Sequence, residues 1–149
     1  MGFLTKLKIF SKSTKLFKNW YVYPLVYFKL TKKEHVIFET KTGLKIKIRV
    51  NSTDLMALTH VWMIQEYSNH DFDINDNDIV IDVGAHIGLF ALFASQFCKL
   101  GKIFCFEPIK ENYELLVENI NSNKIKNIIP FNFAVSKESD SVKIFLNDD

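Results

Sequence analysis

The stretch Asp78-Ile79-Val80-Ile81-Asp82-Val83-Gly84-Ala85-His86-Ile87-Gly88 decides the fold, and Ile103-Phe104-Cys105-Phe106-Glu107-Pro108 completes its meaning. Ile79 to Val83 is a short apolar run rich in β-branched residues, too short for a helix, and predicts a strand buried on both faces. A glycine-bracketed turn, Gly84 to Gly88, follows at once. Leu89 to Cys98 is apolar with helical length, and Gly101 suits the position just past a helix end. Ile103 to Phe106 then predicts a second buried strand. Strand, helix and strand in this order form a right-handed βαβ crossover, so the strands run parallel and the glycine turn and Glu107 share one carboxyl edge.

Such an edge suits a nucleoside. Gly84 and Gly88 let backbone approach a ligand closely, and Glu107 offers an acidic acceptor for ribose hydroxyls one strand over. A dinucleotide fingerprint has the spacing G-x-G-x-x-G and no acid just before its glycines. Here the pattern is Asp82-x-Gly84-x-x-x-Gly88. An acid at that point repels a pyrophosphate and favours a cation, such as the sulfonium and amino neighbourhood of S-adenosylmethionine. NAD, with oxidoreductase chemistry, is the alternative that this spacing disfavours.

Three segments together resemble the FkbM-type S-adenosylmethionine-dependent methyltransferases: Asp82 to Phe90, Phe106 to Ile120, and Asn132-Phe133-Ala134-Val135-Ser136. The resemblance runs from Glu66 to Leu146. It implies a Rossmann-like class I methyltransferase sheet in an α/β fold, S-adenosylmethionine as cofactor, and O-methylation of a hydroxyl on a sugar, polysaccharide or related metabolite. On this reading Asp82, Gly84 and Gly88, with Ala85 and His86 between them, hold the methionine end. Glu107, followed by Pro108, holds the ribose. The resemblance further implies that Glu66 and Tyr67 lie close to the pocket and that Ala134 and Val135 lie against the adenine. His86 stands where that family usually has Asn. Both residues are enriched at positive φ, so the turn is expected to survive. No general base is assigned; Glu66 and His86 are the available nominations.

At 149 residues the chain is one domain's worth. Cys98 and Cys105 fall in apolar runs without metal-ligand spacing and read as reduced core thiols of a cytoplasmic protein. His60 and His70 have no neighbours in sequence that would complete a metal site, and none is expected. The net charge of +2 hides an asymmetry: residues 1–33 carry eight lysines and no acids, and the remainder carries eleven basic against seventeen acidic residues. Residues 1–33 therefore read as a separate basic, aromatic segment. Through residue 28 its lysines alternate with apolar residues and run into Trp20-Tyr21-Val22-Tyr23. That pattern fits a peripheral contact with the inner face of a membrane, or a helix capping the domain with its aromatics in the core. The acidic remainder and the lack of a recognition motif argue against nucleic acid as a partner, leaving a small molecule or glycan as the expected substrate.

Residues 34–77 predict a β-hairpin, His35 to Glu39 and Leu44 to Val50, then a helix from Leu55 to Tyr67 behind the capping residues Asn51 to Asp54. Residues 78–149 form the cofactor half. After Glu107, Pro108 suits the first turn of a helix carrying Leu115, Leu116 and Ile120, and strands are expected over Asn127 to Val135 and Val142 to Leu146. These strands flank Ile79–Val83 on one side only. The chain is therefore expected to be the first half of a longer protein, because the resembled family carries further strands. The other expectations are an edge covered by the hairpin or by a partner chain, and a non-catalytic cofactor-binding or membrane-docking module.

Overall fold

The lysine-rich start folds as α1 (Phe3–Leu16), where Ile9 and Ser13, one turn apart, face inward. The structure, a computed structural model, describes residues 3–64 and 73–137. Glu66, Tyr67, His70 and the strand expected over Val142 to Leu146 lie outside the described residues. Phe17 is fully buried, forms an isolated bridge with Thr40, and packs its ring 4.9 Å from that of Phe38. In α2 (Val22–Tyr27), Tyr23 and Val26 turn inward, and the Tyr23 hydroxyl lies 2.8 Å from Thr59 Oγ1. Of the two fates expected for this segment, packing on the domain accounts for its inward half. Among the described residues no helix is long and apolar enough to cross a membrane.

β1 (His35–Glu39) and β2 (Lys45–Arg49) pair antiparallel, with His35 opposite Arg49 and Glu39 opposite Lys45. Val36, Phe38, Ile46 and Ile48 form the buried face. This hairpin does not join the second sheet. Its outer edge is instead satisfied by side chains of α5 (Lys110–Ser122): Asn119 accepts from Lys47 N and donates to Lys47 O, and Asn123 does the same for Lys45. Two asparagines at i and i+4 thus stand in for a strand. Asn119 also donates to Ile87 O at 3.0 Å, tying the hairpin to the glycine turn.

α3 (Asp54–Leu58) passes directly into a π-helical turn, Thr59–Ile64. The widened turn buries Val61, Trp62 and Met63, and Trp62 Nε1 donates to Leu89 O at 3.1 Å. Such turns interrupt helices where side chains must be re-aimed.

β3 (Ile79–Val83), β4 (Lys102–Phe106) and β5 (Ile128–Phe131) form a parallel sheet in the order β3-β4-β5. This is the expected α/β arrangement. Several boundaries differ. The predicted Leu89 to Cys98 helix is α4 (Leu89–Ala94), ended where Ser95 Oγ bonds back to Leu92 O. Pro108 lies ahead of α5 rather than in its first turn, because Ile109 is extended (φ −79°, ψ 117°) and gives its N–H to Glu107 Oε1. β5 stops at Phe131, not Val135. Pro130 is tolerated there because β5 is an edge strand.

β3 was expected to be buried on both faces, and it is covered on one. Val80 packs with Ile103 and Cys105 in the core that includes Leu92, Leu116 and Ile120. Ile79, Ile81 and Val83 are 71%, 64% and 61% exposed. The reason is topological: among the described residues no helix covers the opposite face, where Phe131 stacks with Phe104 and Phe106, and Phe133 packs at a tilt against Phe106 and Phe131.

Candidate functional site

The carboxyl ends of β3 and β4 are joined by the turn itself. Gly84 N and Ala85 N both donate to Phe106 O, at 2.9 and 3.1 Å, so the glycine turn and Glu107 do lie at one edge. Gly84 and Gly88 have φ of +78° and +83°, and His86 has φ of +51°. A non-glycine residue at positive φ persists when its surroundings over-determine it. Here His86 N donates to Glu107 Oε2 at 2.8 Å, and its ring meets a buried polar cluster.

That cluster holds the turn from behind. Asp54, fully buried, accepts from Arg49 Nε and Nη2 at 3.0 and 2.8 Å and from Arg49 N at 2.8 Å. Arg49 Nη2 also reaches Asn112 Oδ1 at 2.7 Å and His86 Nε2 at 3.3 Å. This fork-to-carboxylate pair raises the Arg49 pKa, its hydrogen bonds to Asp54 being the leading cause. Burial, with Arg49's charge adding to it, pushes His86 down, outweighing the opposing charges of Asp54 and Glu107. His86 Nε2 lies 3.3 Å from both Arg49 Nη2 and Asp54 Oδ1, and the downward shift favours the neutral ring there.

The two glycines play different parts. A Cβ on Gly88 would sit 2.7 Å from Leu116 Cδ1, so Gly88 permits close packing of the turn on α5. A Cβ on Gly84 would meet nothing within 4 Å, because Gly84 faces an open cleft of about 330 Å³. Asp82, Gly84, Ala85 and His86 line it, opposed by Thr53, Met56, Val61 and Phe90. The volume lies in the range of small-molecule sites. A second cleft, about 480 Å³, runs along β3 and shares Asp82, Val83 and Phe90 with the first.

Among the described residues, Asp82 carries the buried side-chain oxygen that is left unpaired in this cleft. Its Oδ2 is buried and has no hydrogen-bond partner. Burial, reinforced by the charge of Glu107, pushes its carboxyl up to about 6. An orphaned buried acid is costly unless a donor or cation arrives to meet it. Glu107 is placed differently. Only 4% exposed, it accepts from His86 N and from Ile109 N at 2.9 Å, with Asn112 Nδ2 at 3.5 Å. Its carboxylate is first a clasp for the turn, with acceptor capacity remaining.

Of the residues singled out from sequence, the structure thus gathers Asp82, Gly84, Ala85 and His86 on the cleft wall. Gly88 and Glu107 lie immediately beneath the turn. Pro108 follows Glu107 outside the cleft lining, and Ala134 and Val135 are exposed beyond the end of β5. Thr53, Met56, Val61 and Phe90 escaped the reading, as did the Arg49-Asp54-Asn112 support. In sequence Asp54 reads only as a capping residue, and its bonds from Arg49 follow from the hairpin's course. Among the described residues no group of three or more His, Cys, Asp or Glu is placed to hold a metal ion. Burial raises the Cys105 thiol well above its ordinary pKa, so it stays protonated.

The cleft fits an adenosyl cation on its own terms: an acid with one buried, unpartnered oxygen for positive charge and bare backbone at Gly84 for close approach. Comparison with known proteins agrees. The chain is 34% identical over 67 residues to the tRNA(Phe) (4-demethylwyosine(37)-C(7)) aminocarboxypropyltransferase of Methanocaldococcus jannaschii, covering 45% of this chain and 27% of that one. It is 35% identical over 60 residues to methyltransferase sdnD of Sordaria araneosa, covering 38% and 23%. The crystal structure of M. jannaschii TYW2 in complex with AdoMet superposes with a TM-score of 0.50 at 25% identity, covering 70% of this chain and 45% of that one. The chain therefore spans about a quarter of these curated relatives and less than half of the solved structure. These matches overturn two expectations, a small-molecule or glycan substrate and the exclusion of nucleic acid, since the Methanocaldococcus relative is named for its action on tRNA. The acidic balance of residues 34–149 does not exclude nucleic acid, because local rather than net charge governs what a surface accepts. The FkbM type was too narrow an assignment and the NAD alternative falls away, because residues 29–145 match the model described as the TRM5/TYW2 methyltransferase domain, and the chain belongs to that family.

Proposed function

We propose that this chain binds S-adenosylmethionine at the carboxyl ends of β3 and β4 and directs transfer of its methyl group to a base of RNA. The observation that carries the reading is the pairing of an orphaned Asp82 carboxylate with open backbone at Gly84 in one cleft. When bound, the cofactor supplies an electrophilic carbon on a cationic sulfur. The chain's own residues do the rest. Asp82 meets the positive charge, Gly84, Ala85 and His86 form the wall, and Gly88 and Glu107 keep the turn in shape. Glu107's unused lone pairs, Pro108, Ala134, Val135, Glu66 and Tyr67 remain the proposed contacts to the ribose, the adenine and the pocket rim. The acceptor base enters from the side of Met56 and Phe90, and orientation supplies the main acceleration. RNA as acceptor is supported by the tRNA named for the Methanocaldococcus relative.

A second reading has a specific observation behind it: that relative is named an aminocarboxypropyltransferase. Carbons of both the methyl group and the aminocarboxypropyl chain are bonded to the same cationic sulfur, and the acceptor's approach selects between them. Incubating the chain with bulk tRNA and cofactor labelled either in the methyl or in the carboxyl carbon separates the two. Label only from the methyl donor is expected. Label only from the carboxyl donor installs the second reading, and no cofactor binding by calorimetry overturns both.

A further inference from the structure

A second surface lies away from the cofactor cleft, between α2 and β1. Residues 1–28 precede the stretch matched by the family, so α1 and α2 are additions that the family match does not explain. They leave Trp20, Tyr21 and Phe28 at 46%, 55% and 58% exposure. Tyr21, Val22, Leu25, Lys33, His35 and Ile37 line a groove of about 380 Å³ with no acidic residue in its wall. The Trp20 ring stands beside that of Tyr21, centroids 6.5 Å apart in an edge arrangement. The loop leaving α2 carries Lys29, Lys32 and Lys33, all exposed and making no ion pair among the described residues. Clustered exposed aromatics cost solvation unless a partner uses them.

We propose that this groove and its rim dock single-stranded RNA, with Tyr21 in the wall and Trp20 beside it stacking on bases, and Lys33 in the wall with Lys29 and Lys32 on the adjoining loop meeting phosphates. The proposal rests on the RNA reading above and adds a binding surface outside the transfer site. Charge complementarity selects the partner: eight lysines and no acids in residues 1–33 face a remainder with eleven basic and seventeen acidic residues, so a polyanion is drawn to this end of the chain. Planar rings beside a basic strip are the elements that bind unstacked bases. A lipid surface fits less well. A helix lying in an interface keeps one continuous apolar face outward, whereas here Ile9, Phe17, Tyr23 and Val26 are turned into the core.

The test uses the full chain, a short fluorescein-labelled single-stranded RNA, and vesicles containing phosphatidylserine. RNA should quench Trp20 while Trp62, 3% exposed, stays silent. Tyr21→Ala should weaken RNA binding about tenfold. The triple variant K29E/K32E/K33E should flatten the plot of log affinity against log salt by about 2, at roughly 0.7 per lysine on a single strand. Both should bind S-adenosylmethionine as the parent does, which shows that they fold. Parent and variants binding RNA equally, or variants losing only vesicle binding, overturns the docking surface and leaves the proposed function standing. A parent that binds no RNA, with or without S-adenosylmethionine, overturns both.

Discussion

Asp82→Asn should make the ligand-free protein more stable at neutral pH while weakening its hold on S-adenosylmethionine. The folded protein raises this carboxyl from 3.8 to about 6 through burial and the neighbouring Glu107. A raised acid pKa means that the native state holds its proton over a pH range where the unfolded chain has lost it. Stability contributed by the protonated form is then lost as pH rises from about 4 to about 6, and stays lost above that. Over the whole range the loss is about 3 kcal/mol, and between pH 4 and pH 8 about 2 kcal/mol, an upper figure because relaxation softens it. Asparagine cannot ionise and escapes this loss. Urea unfolding of parent and variant at pH 4, 6 and 8 measures it: the stability difference should grow in the variant's favour with pH. Curves that stay parallel across the series refute the orphaned-carboxylate argument. The bound cation should restore the ionised form, so calorimetry near pH 6 should detect proton release on cofactor binding, absent in the variant.

Two glycine substitutions separate ligand approach from folding. Gly84→Ala carries the strain of φ +78° without a steric clash and should cost about 1–2 kcal/mol of stability while abolishing cofactor binding. Gly88→Ala adds a contact of 2.7 Å to Leu116 and should cost about 2–4 kcal/mol, with the cofactor affinity of the folded fraction less affected. Thermal denaturation and calorimetry read both, and equal effects would erase the distinction. Glu107→Gln replaces an acceptor oxygen with a donor opposite the N–H of His86 or Ile109. It should cost about 1–3 kcal/mol and weaken cofactor binding together. A variant with unchanged stability would show that Glu107 does not clasp the turn.

The βαβ unit was legible because its signals are local. A five-residue strand with four β-branched apolar residues, a glycine bracket and a second apolar run dictate parallel strands and place Gly84 and Glu107 at one edge by handedness alone. Positive φ at His86 followed in the same way from residue type. The acid in Asp82-x-Gly84 points to a cationic ligand by residue type and spacing alone. What the sequence alone could not decide depends on distant residues meeting. That Asp82 Oδ2 is left without a partner while each Glu107 oxygen already accepts a backbone N–H follows from where β4 ends against the turn. That Arg49, Asp54, Asn112 and Asn119 buttress that turn follows from the hairpin docking on α5, across separations of more than 60 residues between β2 and α5. Local propensity carries no record of such meetings, since a carboxylate's duty is set by which donors the fold brings to it.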